Sequence, residues 1–288
     1  MLYLATYSSL FLTVVLLWFP KTRYFQTWWI SAILSVLFGL IAGQLSILGF
    51  AILFTFVCFI ILFTYATNSS FLLKIFLGGA ILCLSTGLAN HTLPGFHNLK
   101  IIEQLYVSSN GLPLNLYMNI DKAFMGIFII GFTHPRINQW QQFVDMIKQA
   151  WPLWVITLLI SLSTALALGF VRFDPKLPAE FPIWFLTNLF FTCLAEEAFF
   201  RGFIQKNLNL SLCRLKSSSL ISIPISGILF GLAHNAGGWK YILLATVSGI
   251  GYGATYHKTQ RIEASIIAHS LLNTCHFLFF TYPALKYL

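Results

Sequence analysis

The sequence predicts an all-α fold, a polytopic transmembrane helical bundle of about 8–10 spans. Three observations predict it. Apolar residues make up 58% of the 288-residue chain and charged residues only 9%, where a soluble domain carries ~25% charged residues. Mean hydropathy is +0.80. The apolar residues fall in long unbroken runs, which favour helices over the alternation of a membrane barrel, since backbone groups in lipid must bond within the segment.

These figures exclude other classes. The net charge of +9 comes from 17 Lys and Arg against few acids, and no basic–aromatic patch accompanies it. It reads as the positive-inside bias of short loops, with no nucleic-acid partner. The five Cys (58, 83, 193, 213, 275) are scattered and form no CxxC, so they read as small buried hydrophobes. The N-terminus is apolar from Leu2 and has neither a basic n-region nor a small-residue cleavage site. It reads as a retained span.

In chain order, Tyr3–Phe19 is the first expected span, closed by Pro20 and followed by Lys21 and Arg23. Trp28–Ala42, Ile47–Ala66 and Phe71–Ala89 follow, with Trp28-Trp29 suited to an interfacial belt. His91–Lys122 is the most polar part of the first half and holds the turn signals Pro94-Gly95 and Asn110-Gly111-Leu112-Pro113. Asp121 and Lys122 open the apolar run Ala123–Phe132. Alone it is too short for a ~20-residue crossing. It either extends back to Leu112 or lies as a re-entrant or interfacial helix. His134–Gln149 reads as an amphipathic connector. Spans are then expected at Ala150–Phe170, Pro182–Phe200, Leu220–Ala236, Lys240–Tyr256 and Ile262–Tyr282. Basic residues at Lys21/Arg23, Arg136/Lys148, Arg201–Lys216 and Lys258/Arg261 mark the cytoplasmic loops. Residues 1–148 form an N-terminal transmembrane region, and 149–288 a second region with all the unusual polar residues.

Those residues stand in three stretches: Glu196-Glu197-Ala198-Phe199-Phe200-Arg201, Phe230-Gly231-Leu232-Ala233-His234 and His269-Ser270-Leu271-Leu272-Asn273. A charge near the centre of a spanning helix costs roughly 2.5–3.5 kcal/mol on insertion scales. At α-helical spacing Glu197 and Arg201 share a face and can pair. Glu196 points elsewhere and lacks a local partner, which marks it as functional. Phe230 shares a face with His234, and His269 with Asn273. A carboxylate and an imidazole can activate water. A second imidazole and an amide can donate to the oxyanion of a tetrahedral intermediate. Taken singly, His234 could simply bond a backbone carbonyl and His269 could be a packed polar residue.

The EExxxR, FxxxH and HxxxN motifs, in this order and in a polytopic chain, resemble the CPBP intramembrane protease family. That family, also called Abi, includes the type II CAAX prenyl endopeptidases and bacteriocin-processing enzymes. The resemblance covers roughly residues 182–282. It implies an intramembrane endopeptidase with a cytoplasm-facing cavity. Glu196 and His234 would activate water, His269 and Asn273 would hold the oxyanion, and Glu197, Arg201 and Phe230 would support them. It also implies a prokaryotic plasma (inner) membrane, lipids as surroundings, and a membrane-associated protein or peptide as substrate. A His₂Glu zinc site of Glu196, His234 and His269 is the alternative chemistry. The absence of HExxH and the poor zinc affinity of an amide such as Asn273 favour a metal-free glutamate mechanism with no cofactor. Two other functions fit buried Glu and His residues: a non-catalytic scaffold or bacteriocin-immunity factor, and a proton-coupled transporter.

Overall fold

The computed structural model describes residues 2–19, 26–65 and 70–286. Lys21 and Arg23, the first of the basic loops, lie outside them. The described chain is helical apart from a small hairpin, in the order α1 (Leu2–Leu16), α2 (Trp28–Ile41), α3 (Ile47–Tyr65), α4 (Phe71–Ala89), β1 (Leu99–Leu105), β2 (Leu114–Met118), α5 (Ile120–Thr133) and α6 (Trp140–Ala167). A long composite helix, Phe181–Ser211, follows. It contains α7 (Phe181–Thr187), α8 (Leu194–Glu197) and α9 (Lys206–Ser211). α10 (Ser218–Leu232), α11 (Gly238–Thr259) and α12 (Ile262–Phe279) complete the chain.

Among the described residues, four helices are long and apolar enough to cross a membrane: α3, α4, α6 and Phe181–Ser211. A fifth is added if α10 and the segment Asn235–Thr259, bent by 60° at a short break, count as one span. α1 and α2 are apolar but shorter. In α12, polar residues such as Glu263, Ser265, His269, Asn273 and His276 dilute the apolar run. The chain is an integral membrane protein. The larger span count read from the sequence includes these shorter and broken helices.

Three boundaries differ from the sequence reading. Leu112 does not begin a crossing; it lies in the turn of the hairpin, and α5 starts at Ile120 and is buried from Ile120 to Ile130 except Lys122, which is half-buried. The connector and the span after it are one helix, α6, which runs through Pro152 without ending. The span expected from Leu220 begins two residues earlier, at Ser218, and α10 runs on through Pro224 to Leu232.

The chain divides into two compact units. The first comprises residues 1–99, 117–138 and 190–199. Its α1 and α2 are stitched by small hydroxyls. Thr13 Oγ1 donates to Ser31 Oγ (2.9 Å), Ser31 Oγ to the Ser9 carbonyl (2.6 Å) and Ser35 Oγ to the Thr6 carbonyl (3.0 Å). Small side chains and interhelical hydrogen bonds replace the hydrophobic effect where lipid is the solvent. The start of α5 is fixed by side chains. Asn98 Oδ1 accepts from the Ile120 N–H (2.8 Å), while buried Asp121 accepts from Asn98 Nδ2 (3.1 Å) and pairs with His91 Nδ1 (2.8 Å).

The second unit comprises residues 100–116, 139–189 and 200–288. Here α10 meets α11 almost backbone to backbone. A Cβ on Gly231 would stand 1.9 Å from Thr246 Oγ1 and 2.6 Å from the Ile242 carbonyl. Trp184 stacks on Phe277 at 4.0 Å and donates its indole N–H to Tyr282 Oη. The C-terminal segment pairs with the hairpin turn, Leu112 N–H to the Ala284 carbonyl and Lys286 N–H to the Asn110 carbonyl, both 2.9 Å.

Candidate active site

The helix Phe181–Ser211 carries the acidic motif. Pro182, in its first turn, has no N–H to lose there. Of its most apolar window 61% is buried, against 22–28% in the three other long apolar helices. It is therefore an internal helix and not a lipid-facing wall. It is not a uniform α-helix. Asn188–Cys193 and Ala198–Gln205 are π-helical and flank the single α turn Leu194–Glu197. A π turn takes in one residue more than an α turn, and such turns recur at functional sites.

Both glutamates belong to the first unit and are buried, Glu197 completely. Glu196 has a partner that its own helix does not supply. Lys122 Nζ donates to Glu196 Oε1 at 2.6 Å, and the two side chains are only 13% and 11% exposed. Helix α5 brings the ammonium there by a close approach to α8. A Cβ on Gly126, one turn beyond Lys122, would stand 2.6 Å from Ala195 Cα. We expect Gly126→Val to lower stability in detergent by about 1–3 kcal/mol, the usual cost of overpacking, measured by thermal melting of purified protein. A melting temperature equal to wild type would contradict this packing.

In the second unit the aromatic ring of Phe230 is the common neighbour. His234 lies 4.6 Å and His269 5.7 Å from it, centroid to centroid, and the guanidinium of Arg201 stands 4.7 Å over its face. Arg201 is completely buried and donates Nη2–H to the Gly249 carbonyl at 2.6 Å. Its guanidinium also faces Tyr252 at 5.5 Å. His269 stacks on Tyr252 at 4.7 Å. Phe230 and Tyr252 thus contact the imidazole of His269 edge-on and face-on.

His234 follows the end of α10 and precedes the 3₁₀ turn Asn235–Gly237. Its Nδ1 is 2.7 Å from the Phe230 carbonyl. A carbonyl only accepts, so Nδ1 carries the proton and Nε2 of the neutral ring is the acceptor. Tyr241 packs on the same imidazole at 5.2 Å. On α12, Asn273 is one turn from His269, and its Nδ2 donates to Asn188 Oδ1 at 3.2 Å. That amide nitrogen has two protons, so this bond uses one.

All seven residues singled out in the sequence lie in the segment that one family model recognises. Residues 178–275 match the model described as type II CAAX prenyl endopeptidase Rce1-like. The chain has a segment similar to the Rce1-like domain. It occupies about a third of the sequence and runs from just before α7 to near the end of α12. No curated protein and no solved structure matches the chain. At the family level the Rce1-like match speaks for a protease that works within the membrane.

Among the described residues, no group of three or more His, Cys, Asp or Glu stands close enough to hold a metal ion. Two residues that touch the Rce1-like motifs carry no site role in the sequence reading. Tyr252, beside His269, stands among Gly249, Gly251 and Gly253 in a stretch with no charged residue to draw notice. Lys122 had a signal: a lone cation opening an apolar run, in a chain where Glu196 lacked a local counter-charge.

Proposed function

We propose that this protein is an intramembrane endopeptidase that hydrolyses a peptide bond near the cytoplasmic membrane face without a metal. Residues 149–288 would form its catalytic core, in a prokaryotic plasma membrane. The observation that carries the reading is the Rce1-like match, which encloses Glu196, Glu197, Arg201, Phe230, His234, His269 and Asn273 in motif order. Treating these residues as one centre rests on that match.

The chemistry assigns each group one task. Glu196, with His234 accepting at Nε2, takes a proton from water as its oxygen attacks the scissile carbonyl carbon. The carbonyl π bond breaks and its electron pair becomes an oxyanion. His269 N–H and the second Nδ2 proton of Asn273 donate to that oxygen. As the intermediate collapses, the carbon–nitrogen bond breaks and the proton held by Glu196 passes to the leaving amine. The Nδ1–H bond of His234 to the Phe230 carbonyl and the packing of His269 against two rings support this assignment, since both hold an imidazole in one orientation. The substrate is a membrane-associated protein or peptide.

The test compares new protein termini in membranes of cells carrying wild-type protein or Glu196→Ala. Termini that depend on Glu196, form with purified protein, and persist under a strong chelator are the expected result. Identical terminal profiles in the two strains would favour a scaffold or transporter. Activity that chelation abolishes and zinc restores would replace the metal-free mechanism.

A further inference from the structure

We propose that Lys122 is a positioning residue for Glu196, supplied from outside the Rce1-like segment. The proposal rests on the hydrolase reading above and extends its machinery to α5. Lys122 Nζ stands 2.6 Å from Glu196 Oε1, and both side chains are almost withdrawn from the surface. The contact joins residues 74 apart in sequence. Both partners lie in the first compact unit.

Three features make this a built contact. The Lys122 backbone is fixed, because its N–H donates to Asp121 Oδ1 at 2.8 Å and Asp121 is itself held by Asn98 and His91. One turn later, Gly126 lets α5 approach Ala195, the residue before Glu196, without an intervening side chain. Finally, Lys122 interrupts an otherwise buried helix from Ile120 to Ile130. A cation placed there with no task would cost free energy. Held by an ammonium at Oε1, the carboxylate is confined to one rotation about its terminal bond. A general base must present its oxygen to the water within hydrogen-bond reach, and a misplacement of about 1 Å can cost ~10²-fold in rate. Lys122 touches no reacting atom in this scheme and acts only through Glu196.

The experiment uses full-length protein in detergent and a quenched fluorescent peptide ending in a farnesylated CAAX tetrapeptide. Lys122→Met keeps the length of the side chain and removes its charge. We expect kcat to fall by ~10–10²-fold with KM within about twofold, and Lys122→Arg to recover most of the loss. A folded Lys122→Met at wild-type kcat, a defect confined to KM, or an arginine variant as slow as methionine would each overturn the proposal. If Lys122→Met does not accumulate, Lys122→Met/Glu196→Gln decides. Recovery of abundance and melting temperature when both charges are gone supports a cation serving Glu196, and a double variant as unstable as the single one overturns it. If wild type leaves this peptide intact, the same variants are measured on a peptide spanning a Glu196-dependent terminus from the membrane comparison; no such terminus, or a Glu196→Gln that cuts the peptide, sinks the hydrolase reading and this inference together. An active wild type, an inactive Glu196→Gln and an unimpaired Lys122→Met sink the inference alone.

Discussion

Glu196→Gln is expected to be folded, present at normal abundance and unable to hydrolyse peptide. Glutamine keeps the shape of the side chain, and its amide oxygen can still accept from Lys122 Nζ. What it loses is the base, worth ~10²–10⁴-fold in rate for general acid–base catalysis. The measurement is initial cleavage of the farnesylated peptide beside thermal melting of the same preparation. The control is Glu197→Gln, which removes a completely buried carboxylate one residue away. That variant should lose stability before it loses turnover. If it is instead stable and inactive while Glu196→Gln cuts normally, the roles of the two glutamates are reversed.

The largest loss of stability is expected from Arg201→Ala. Arg201 is completely buried, bonds the Gly249 carbonyl at 2.6 Å, and faces the rings of Phe230 and Tyr252 at 4.7 and 5.5 Å. A hydrogen bond from a charged donor contributes ~1.5–3 kcal/mol, and a desolvated cation–π contact about 2 kcal/mol. The expected cost is therefore about 3–5 kcal/mol. Arg201→Lys keeps the charge but not the planar fork, and should recover only part of it. Abundance in membranes and the melting temperature in detergent read the effect. An Arg201→Ala protein that melts with wild type would refute the role of Arg201 as the pin between these rings and α11.

Helices were legible wherever an apolar run was long. The run from Pro182 reads as a spanning helix with two carboxylates inside it; that it is an internal helix shows only in its burial. The stretch before α5 was not legible. From sequence, Leu112–Phe132 reads either as a crossing or as a short re-entrant or interfacial helix; only Ile120–Thr133 is helical, and the part before it is the second strand of a hairpin. The alternation at Leu114, Leu116 and Met118 is only five residues long, too short to outweigh an apolar continuation. Pro152 and Pro224 do not end their helices. A proline breaks an isolated helix, but in a membrane its freed carbonyl can be satisfied by neighbouring groups, and α6 and α10 run through both. The π turns around Glu196 were invisible because every spacing argument assumes 3.6 residues per turn. The partner of Glu196 escaped for another reason: no local pattern links two positions 74 residues apart.

Phe230 offers its ring to His234, His269 and Arg201 at once, and packs edge-on against Phe200 at 5.1 Å. A hub of this kind makes the surrounding positions epistatic. The effect of an exchange at 200, 234, 252 or 269 depends on what occupies 230, so single-site tolerances measured in one background will not transfer to another. A leucine at 230 leaves the backbone carbonyl that His234 needs but takes away the flat face under the guanidinium. Sequence drift around this ring should therefore proceed by coordinated replacements, with 230 changing only after its neighbours have become permissive.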